Sequence, residues 1–280
     1  MKIAFACPSY GPIEPEVAHA QRFAIMTAWR SGIEVRSDVF TDRVGWEESR
    51  NNIAHVVCEE LDDTFDGVFW CDADTILNPE TIYNTVAPGV DVCTAIYYGR
   101  HAPYEPRIFA YNSAADSWNP ILRWPEGTSL FPIQGAGFGA IYTSRKALIA
   151  TTQTEILPKR MCLETGEIEE KERKFWFRFG KWSEDLTWCA EARAKGFLIW
   201  CNPNEVVGHL GTAIKITRKQ YEEHAKSSTS GIIEAAMTLE QKPDGQYEVV
   251  VVKGLDVTPE KTPVHNTIAL TEELRMKPSA

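Results

Sequence analysis

At 280 residues, 44% of them hydrophobic, the chain has material for one large α/β domain or two small ones and is too apolar for global disorder. A formal net charge of −10 argues against broad, non-specific binding to nucleic acid or anionic membranes, a local basic groove aside. Seven cysteines, an odd number with no Cys-x-x-Cys pair, sit largely in apolar runs as small core hydrophobes and suggest a reducing, cytoplasmic setting.

The first apolar run, residues 3–7, predicts a buried strand, broken by the loop Pro8-Ser9-Tyr10-Gly11-Pro12. Residues 14–31 predict a helix with Val17, Ala20, Ala24 and Ala28 on one face and Gly32 as its stop. A half-buried strand is expected over 33–40. A second helix follows over 47–61, with Ile53, Val56, Val57 and Leu61 at helical spacing. Gly67-Val68-Phe69-Trp70-Cys71 predicts a fully buried strand, Pro79 opens a short helix, and residues 91–98 form another strand. This alternation predicts an α/β fold: a Rossmann-like, mostly parallel central sheet with helices on both faces, its strands ending on one edge.

Residues 101–130 read as irregular and rich in Pro, Tyr and Trp, while 133–142 alternate small and large side chains. Residues 183–195 have helical spacing, ended by Gly196, and 197–201 predict a further strand. The character changes from residue 212 onward, so we divide the chain into a domain over 1–212 and an extension over 213–280. The turn signal Pro243-Asp244-Gly245 before a β-rich run at 247–252 predicts a hairpin in the extension. No apolar run reaches membrane-spanning length, and the N-terminal run is too short for a secretory leader.

Chemistry concentrates at Asp72-Ala73-Asp74, directly after the 67–71 strand. Open α/β sheets bind ligands at that edge. If strand geometry continues, two carboxylates two residues apart point the same way, an arrangement that suits a hard divalent cation which also holds phosphate oxygens. Gly135-Ala136-Gly137-Phe138-Gly139 lets a backbone approach a ligand closely, or a strand pack tightly under a helix. Ser183-Glu184-Asp185 opens a helix; Ser183 is an N-cap candidate, and the acids suit the dipole or a general base. Gly208-His209-Leu210-Gly211 puts an imidazole between glycines just past a strand, within reach of a metal or phosphate. Phe175, Trp176, Phe177, Phe179 and Trp182, interleaved with Arg173, Lys174, Arg178 and Lys181, suit stacking on a sugar or base, or a buried plug with solvated charges.

In this order the motifs resemble the GT-A fold of nucleotide-sugar-dependent glycosyltransferases of the family 2 type, over roughly residues 1–212. The resemblance implies a hexosyl- or pentosyltransferase. Asp74 and His209 would ligate Mn2+ or Mg2+, and Asp72 would contact the ribose and help with the metal. Pro8, Ser9 and Tyr10 would border the nucleotide, while Arg50 and Lys215 would reach its phosphates or base. Gly135 and Gly137 would shape the sugar side. Asp185 would be the general base, with Glu184 helping to hold the acceptor. UDP-sugars lead as donors because they dominate metal-dependent members of the fold. The acceptor is a saccharide, a lipid-linked sugar or, less favoured by the acidic balance, a modified nucleobase in DNA. Inversion follows from the Asp185 assignment, although retaining enzymes share the fold. Two alternatives stand beside this reading. One is a sugar nucleotidyltransferase, whose longer basic phosphate loop is missing after the first strand. The other is a non-catalytic nucleotide-sugar or carbohydrate-binding module.

Overall fold

The computed structural model describes residues 1–9, 11–36, 45–60, 64–124, 127–156, 160–161, 168–169, 172–211, 215–216, 219, 222, 236–241 and 247–252. Strand β1 (Lys2–Ala6) is followed by helix α1 (Pro15–Arg30), β2 (Glu34–Arg36), α2 (Trp46–His55) and β3 (Gly67–Cys71). Pro15 suits the first turn of α1, where its missing N–H has no partner to lose, and Gly32 at φ +85° lets the chain leave. Both β2 and β3 pair with β1 in parallel, with Ile3 opposite Val35 and Ala4 opposite Val68.

Side-chain alternation along these strands sets the two faces. Ala4, Ala6, Val68 and Trp70 pack with Ile53, Ala54 and Val57 of the α2 segment, whose last turn is π-helical (Val56–Glu60). Ile3, Phe5 and Phe69 pack on the other face with Ala24 and Ala28 of α1. Of the expected α1 face, Ala20 is only half-buried. Gln21 takes an inner position, its amide donating to the Cys7 and Cys71 thiols at 3.4 Å each. Leu61 and residues 37–40 lie outside the described residues.

Strand β4 (Thr75–Ile76), helix α3 (Thr81–Val86) and β5 (Val92–Ile96) come next. The stretch expected to be irregular contains a hairpin, β6 (Ile108–Asn112) and β7 (Ser117–Pro120), turned by the Asn112 carboxamide accepting from the Ala114 and Ala115 N–H groups. Strands β8 (Phe131–Ile133), β9 (Gly135–Ala136) and β10 (Ala140–Ser144) precede helix α4 (Arg145–Ala150). β10 inserts between β3 and β5 and runs antiparallel to both, an exception within the mostly parallel sheet that the sequence suggested. The reason is connection length. From β9 only residues 137–139 intervene, so the chain re-enters the sheet from the edge it has just reached; a parallel entry needs a crossover of a dozen residues.

Beyond β11 (Gln153–Ile156), β12 (Arg160–Met161), β13 (Ile168–Glu169) and β14 (Glu172–Phe175), helix α5 (Glu184–Ala194) leads to β15 (Ile199–Val206) and β16 (Gly208–Leu210). The central sheet has the order β2-β1-β3-β10-β5-β15-β8, and all strands but β10 and β8 share one direction. The fold is therefore α/β with a mostly parallel central sheet and helices on both faces. Past residue 212, β17 (Lys215–Ile216) pairs with β16. The expected hairpin is formed by β18 (Ala236–Gln241) and β19 (Tyr247–Val252), although its turn at 243–245 lies outside the described residues. Phe175, Trp176 and Phe177 are buried, whereas Arg173, Lys174, Arg178 and Lys181 pair with Glu155, Glu59, Glu191 and Asp116, so the aromatic stretch is largely a plug with solvated charges. Cys7, Cys58, Cys71, Cys93, Cys189 and Cys201 are free, and all but Cys7 are buried. Among the described residues no helix is long and apolar enough to cross a membrane.

Candidate active site

One edge of the sheet collects the ends of β1, β3 and β5 and the start of β10. Strand geometry stops at Cys71. The Asp72 N–H bonds to Gly139 O at 3.2 Å, and the Thr75 N–H closes a turn onto Asp72 O at 3.0 Å. The two carboxylates therefore do not continue a strand, and they take different partners.

Asp74 faces His209. The link between them is the pairing of β4 with β16, with His209 opposite Thr75, and the Leu210 N–H bonds to Asp74 O at 2.8 Å. His209 is 7% exposed. Its Nδ1 lies 2.7 Å from Tyr98 O, and since a carbonyl only accepts, Nδ1 carries the proton. In the neutral ring Nε2 is then a bare lone pair, 3.2 Å from Asp74 Oδ1. Two acceptors at this distance need a cation between them or a second proton on the ring. A histidine whose far nitrogen is fixed by a carbonyl is the usual arrangement of a metal ligand. Arg100 holds the other oxygen, Oδ2, at 2.8 Å. Burial pushes the Asp74 carboxyl up, but the His209 hydrogen bond and charge together with Arg100 outweigh it and leave it below the usual value. Among the described residues no group of three or more His, Cys, Asp and Glu side chains is already gathered as a metal cage.

Asp72 turns to Arg50, with Nη2 to Oδ1 at 3.0 Å; Arg50 Nε also meets Glu184 Oε1 at 3.4 Å. The guanidinium thus bridges the turn after β3 and the start of α5, lying over the Phe138 ring. Burial disfavours the Arg50 charge, yet Asp72, Glu184 and Asp185 raise its pKa above the ordinary value. Burial raises both Asp72 and Glu184; Arg50 offsets only part of that, and neighbouring carboxylates add to it. Glu184 is 4% exposed, so the structure turns it toward Arg50. Arg50 Nη1 is buried with no hydrogen-bond partner among the described residues.

Asp185 sits in the first turn of α5. Ser183 does not cap the backbone; its hydroxyl donates instead to Asp185 Oδ1, which also accepts from the Leu186 N–H at 2.7 Å. One carboxylate oxygen is thereby fixed, and Oδ2 points toward Gly137, 3.4 Å from where a Cβ would stand. The same Cβ would overlap the Tyr97 hydroxyl, and a Cβ at Gly139 would reach within 2.7 Å of the Tyr97 ring. At Gly135 it would meet the Trp118 ring at 2.7 Å and Leu186 at 3.0 Å. The room these glycines leave is filled from within the protein.

Pro8 is buried at the end of β1, and the Ser9 hydroxyl turns back on its own loop, donating to Gly11 O at 2.6 Å. Tyr10 lies outside the described residues. For Lys215 the structure describes only backbone, paired opposite Leu210.

Three neighbours were missed by the sequence reading. Tyr97 extends from the end of β5, accepts from the Gly139 N–H at 3.3 Å and meets the His209 ring edge-on, with centroids 5.4 Å apart. Burial, with Asp72 and Asp185, pushes its phenol well above its ordinary pKa, so it keeps its proton. Arg100 follows three residues later. Both were accessible to the rule that a parallel strand delivers its next residues to the ligand edge. Trp118 had no such signal, since its hairpin was not foreseen. It clusters with Tyr111 and Trp182 at centroid distances of 5.1 and 5.9 Å beside Gly135 and Leu186.

No protein-family model matches the chain, and no curated protein matches it significantly. Among solved structures, A197 from STIV aligns over 95% of this chain and 100% of its own at 14% identity, with a TM-score of 0.42. GalNAc-T7, solved with UDP, GalNAc and Mn2+, aligns over 80% of this chain and 47% of its own at 10% identity, with a TM-score of 0.44. The catalytic domain of Drosophila beta1,4galactosyltransferase 7, in complex with xylobiose, aligns over 91% and 95% at 12% identity, with a TM-score of 0.39. Likeness this distant carries no functional argument.

Proposed function

We propose that the chain is a metal-dependent glycosyltransferase that moves a sugar from a nucleotide-sugar, a UDP-sugar foremost, to an acceptor hydroxyl with inversion. The observation that carries this reading is the opposed pair Asp74 Oδ1 and His209 Nε2, whose imidazole has its other nitrogen committed to Tyr98 O. Those two side chains would hold Mn2+ or Mg2+, while Asp72, expected to share the ion, is paired with Arg50; mixed carboxylate and imidazole donors favour Mn2+. Such an ion, when bound, stabilises the charge growing on a departing nucleoside diphosphate. A hard cation of this kind leaves positions for phosphate oxygens and water, which suits a site with few protein ligands.

Asp185 receives the acceptor proton on Oδ2, the oxygen left free by Ser183 and Leu186. Attack from the face opposite the diphosphate inverts the anomeric centre. Arg50 holds Asp72 and Glu184 in place and keeps a spare N–H for a phosphate or base oxygen; Glu184 acts as its anchor. Arg100 is positioned to exchange Asp74 for phosphate when the donor arrives. The half-buried rings of Tyr111, Trp118 and Trp182 offer an apolar face beside the base, which suits a saccharide acceptor.

The test is calorimetric binding of UDP with Mn2+ and with EDTA, alongside release of UDP from a panel of UDP-sugars. Asp74→Ala and His209→Ala are expected to lose the metal dependence. Nucleotide binding indifferent to metal removes the reading. Metal-dependent binding without turnover on any donor transfers it to a binding module.

A further inference from the structure

Gly137 marks a point where two side chains from distant parts of the chain converge. Asp185 Oδ2 stands 3.4 Å from its missing Cβ, and the Tyr97 hydroxyl is close enough to overlap a Cβ placed there. The two groups have complementary hydrogen-bonding capacity. Asp185 Oδ1 is already taken by Ser183 and Leu186, so Oδ2 is an acceptor in need of a donor. The Tyr97 oxygen already accepts from the Gly139 N–H, and no described residue accepts its proton. An alcohol satisfies both at once, because its oxygen accepts while its hydrogen is donated.

We infer that Tyr97 is a catalytic residue that touches substrate: its O–H donates to the acceptor oxygen whose proton Asp185 Oδ2 receives. This rests on the transferase reading and adds to it the means by which the acceptor is aimed. In the transfer the acceptor O–H bond breaks and its proton goes to Asp185. The oxygen forms a bond to the anomeric carbon, and the bond from that carbon to the diphosphate oxygen breaks, its electron pair leaving with phosphate. Tyr97 keeps its own proton throughout. Its contribution is orientation: with two fixed hydrogen bonds the nucleophilic lone pair has few directions left. Gly137 is then required because a Cβ there would overlap the Tyr97 hydroxyl and displace it from this position. The edge-on contact with His209 ties the phenol to the proposed metal ligand, so acceptor and donor are held by one packed unit.

Tyr97→Phe removes only the hydroxyl. UDP released from UDP-sugars is to be divided into hydrolysis, with water as acceptor, and transfer to a panel of methyl glycosides. Water is small enough to reach Asp185 unaided. The ratio of transfer to hydrolysis is therefore expected to fall at least about tenfold, with the calorimetric affinity for UDP and Mn2+ unchanged. A wild-type ratio in the variant overturns the inference. A wild type that releases no UDP from any UDP-sugar is a different failure, that of the transferase reading itself. Should Tyr97→Phe not fold, the wild-type crystal with UDP, Mn2+ and a methyl glycoside decides. An acceptor oxygen bonded to both Tyr97 and Asp185 supports the inference, and one bonded to Asp185 alone overturns it.

Discussion

Arg50→Ala tests the electrostatic frame of the site. The guanidinium is 4% exposed and pairs with Glu184, which is equally buried, and with Asp72, whose side chain is 31% exposed. Its removal leaves Glu184 as a buried carboxylate without its cation, and Asp72 with partial access to water, so the magnitude rests on Glu184. Breaking one partner from such a pair costs about 3–5 kcal/mol, a large part of the 5–15 kcal/mol typical of a domain. The cost depends on pH, and its sign follows from the direction of the shifts. Glu184 and Asp72 already lie above their ordinary values of 4.5 and 3.8, so each weakens the fold where it is ionised, and that penalty fades as pH falls through the raised pKa. Without Arg50 both rise further. The difference between variant and wild type, measured at about pH 8 and about pH 5, should thus be larger at the higher pH. Urea denaturation followed by tryptophan fluorescence measures it. Adding Glu184→Gln to the variant should recover part of the loss, with a coupling of about 1–3 kcal/mol. A loss below about 1 kcal/mol, the same at both pH values, would refute the view that this arginine neutralises the site.

Asp185→Asn should leave UDP affinity intact and lower transfer by about 10²–10⁴, measured as kcat under saturating donor; an unchanged kcat would assign the base elsewhere. Gly135→Ala forces a methyl against the Trp118 ring. We expect a loss of about 1–3 kcal/mol in urea and a raised acceptor KM at unchanged UDP affinity. Glu205 is a buried carboxylate accepting from Asn78, Thr81 and Asn84, at 2.6–2.9 Å, near the end of β15, the strand that precedes the one carrying His209. Glu205→Ala leaves those donors unmatched, each at about 1–3 kcal/mol before relaxation, and should weaken Mn2+-dependent UDP binding along with stability; a stable variant with normal metal affinity would unlink the two.

The alternation of strands and helices through β5 was legible because each element carries its own period and its own boundary signal, as Gly32 shows after α1; Pro79, expected in a helix's first turn, stands just before the Glu80 N-cap of α3. The candidate residues at 72, 74, 185 and 209 were legible for a related reason: each directly abuts or opens a regular element. What stayed hidden depends on contacts distant in sequence. The antiparallel entry of β10 follows from a three-residue connection whose partners could not be known beforehand. The glycines at 135, 137 and 139 showed that something comes close, but not that the close groups are Trp118 and Tyr97. The aromatic run at 175–182 was undecided between plug and platform. Phe175, Trp176 and Phe177 go inward, while Trp182 joins rings from a hairpin that had no clear turn signal.

Charge balance then links stability to ligand. Asp72, Asp74, Glu184 and Asp185 converge on one edge, and the cations directly paired with them are Arg50 and Arg100. Those carboxylates and arginines alone leave a formal excess of two negative charges, which adds to the burial that raises Asp72 and Glu184 although an arginine touches both. A protein does not need such an excess to fold; burying it without a counter-charge is a cost. A divalent ion held by Asp74 and His209, as proposed, would cancel it. The apo protein should therefore be less stable than the loaded one by an amount set by the ion's affinity, about 2.7 kcal/mol at a hundredfold excess over Kd. Calcium, which prefers more oxygen ligands, should stabilise less than manganese. A thermal midpoint that Mn2+ leaves unmoved in the presence of UDP would mean that no metal answers the charge of Asp74.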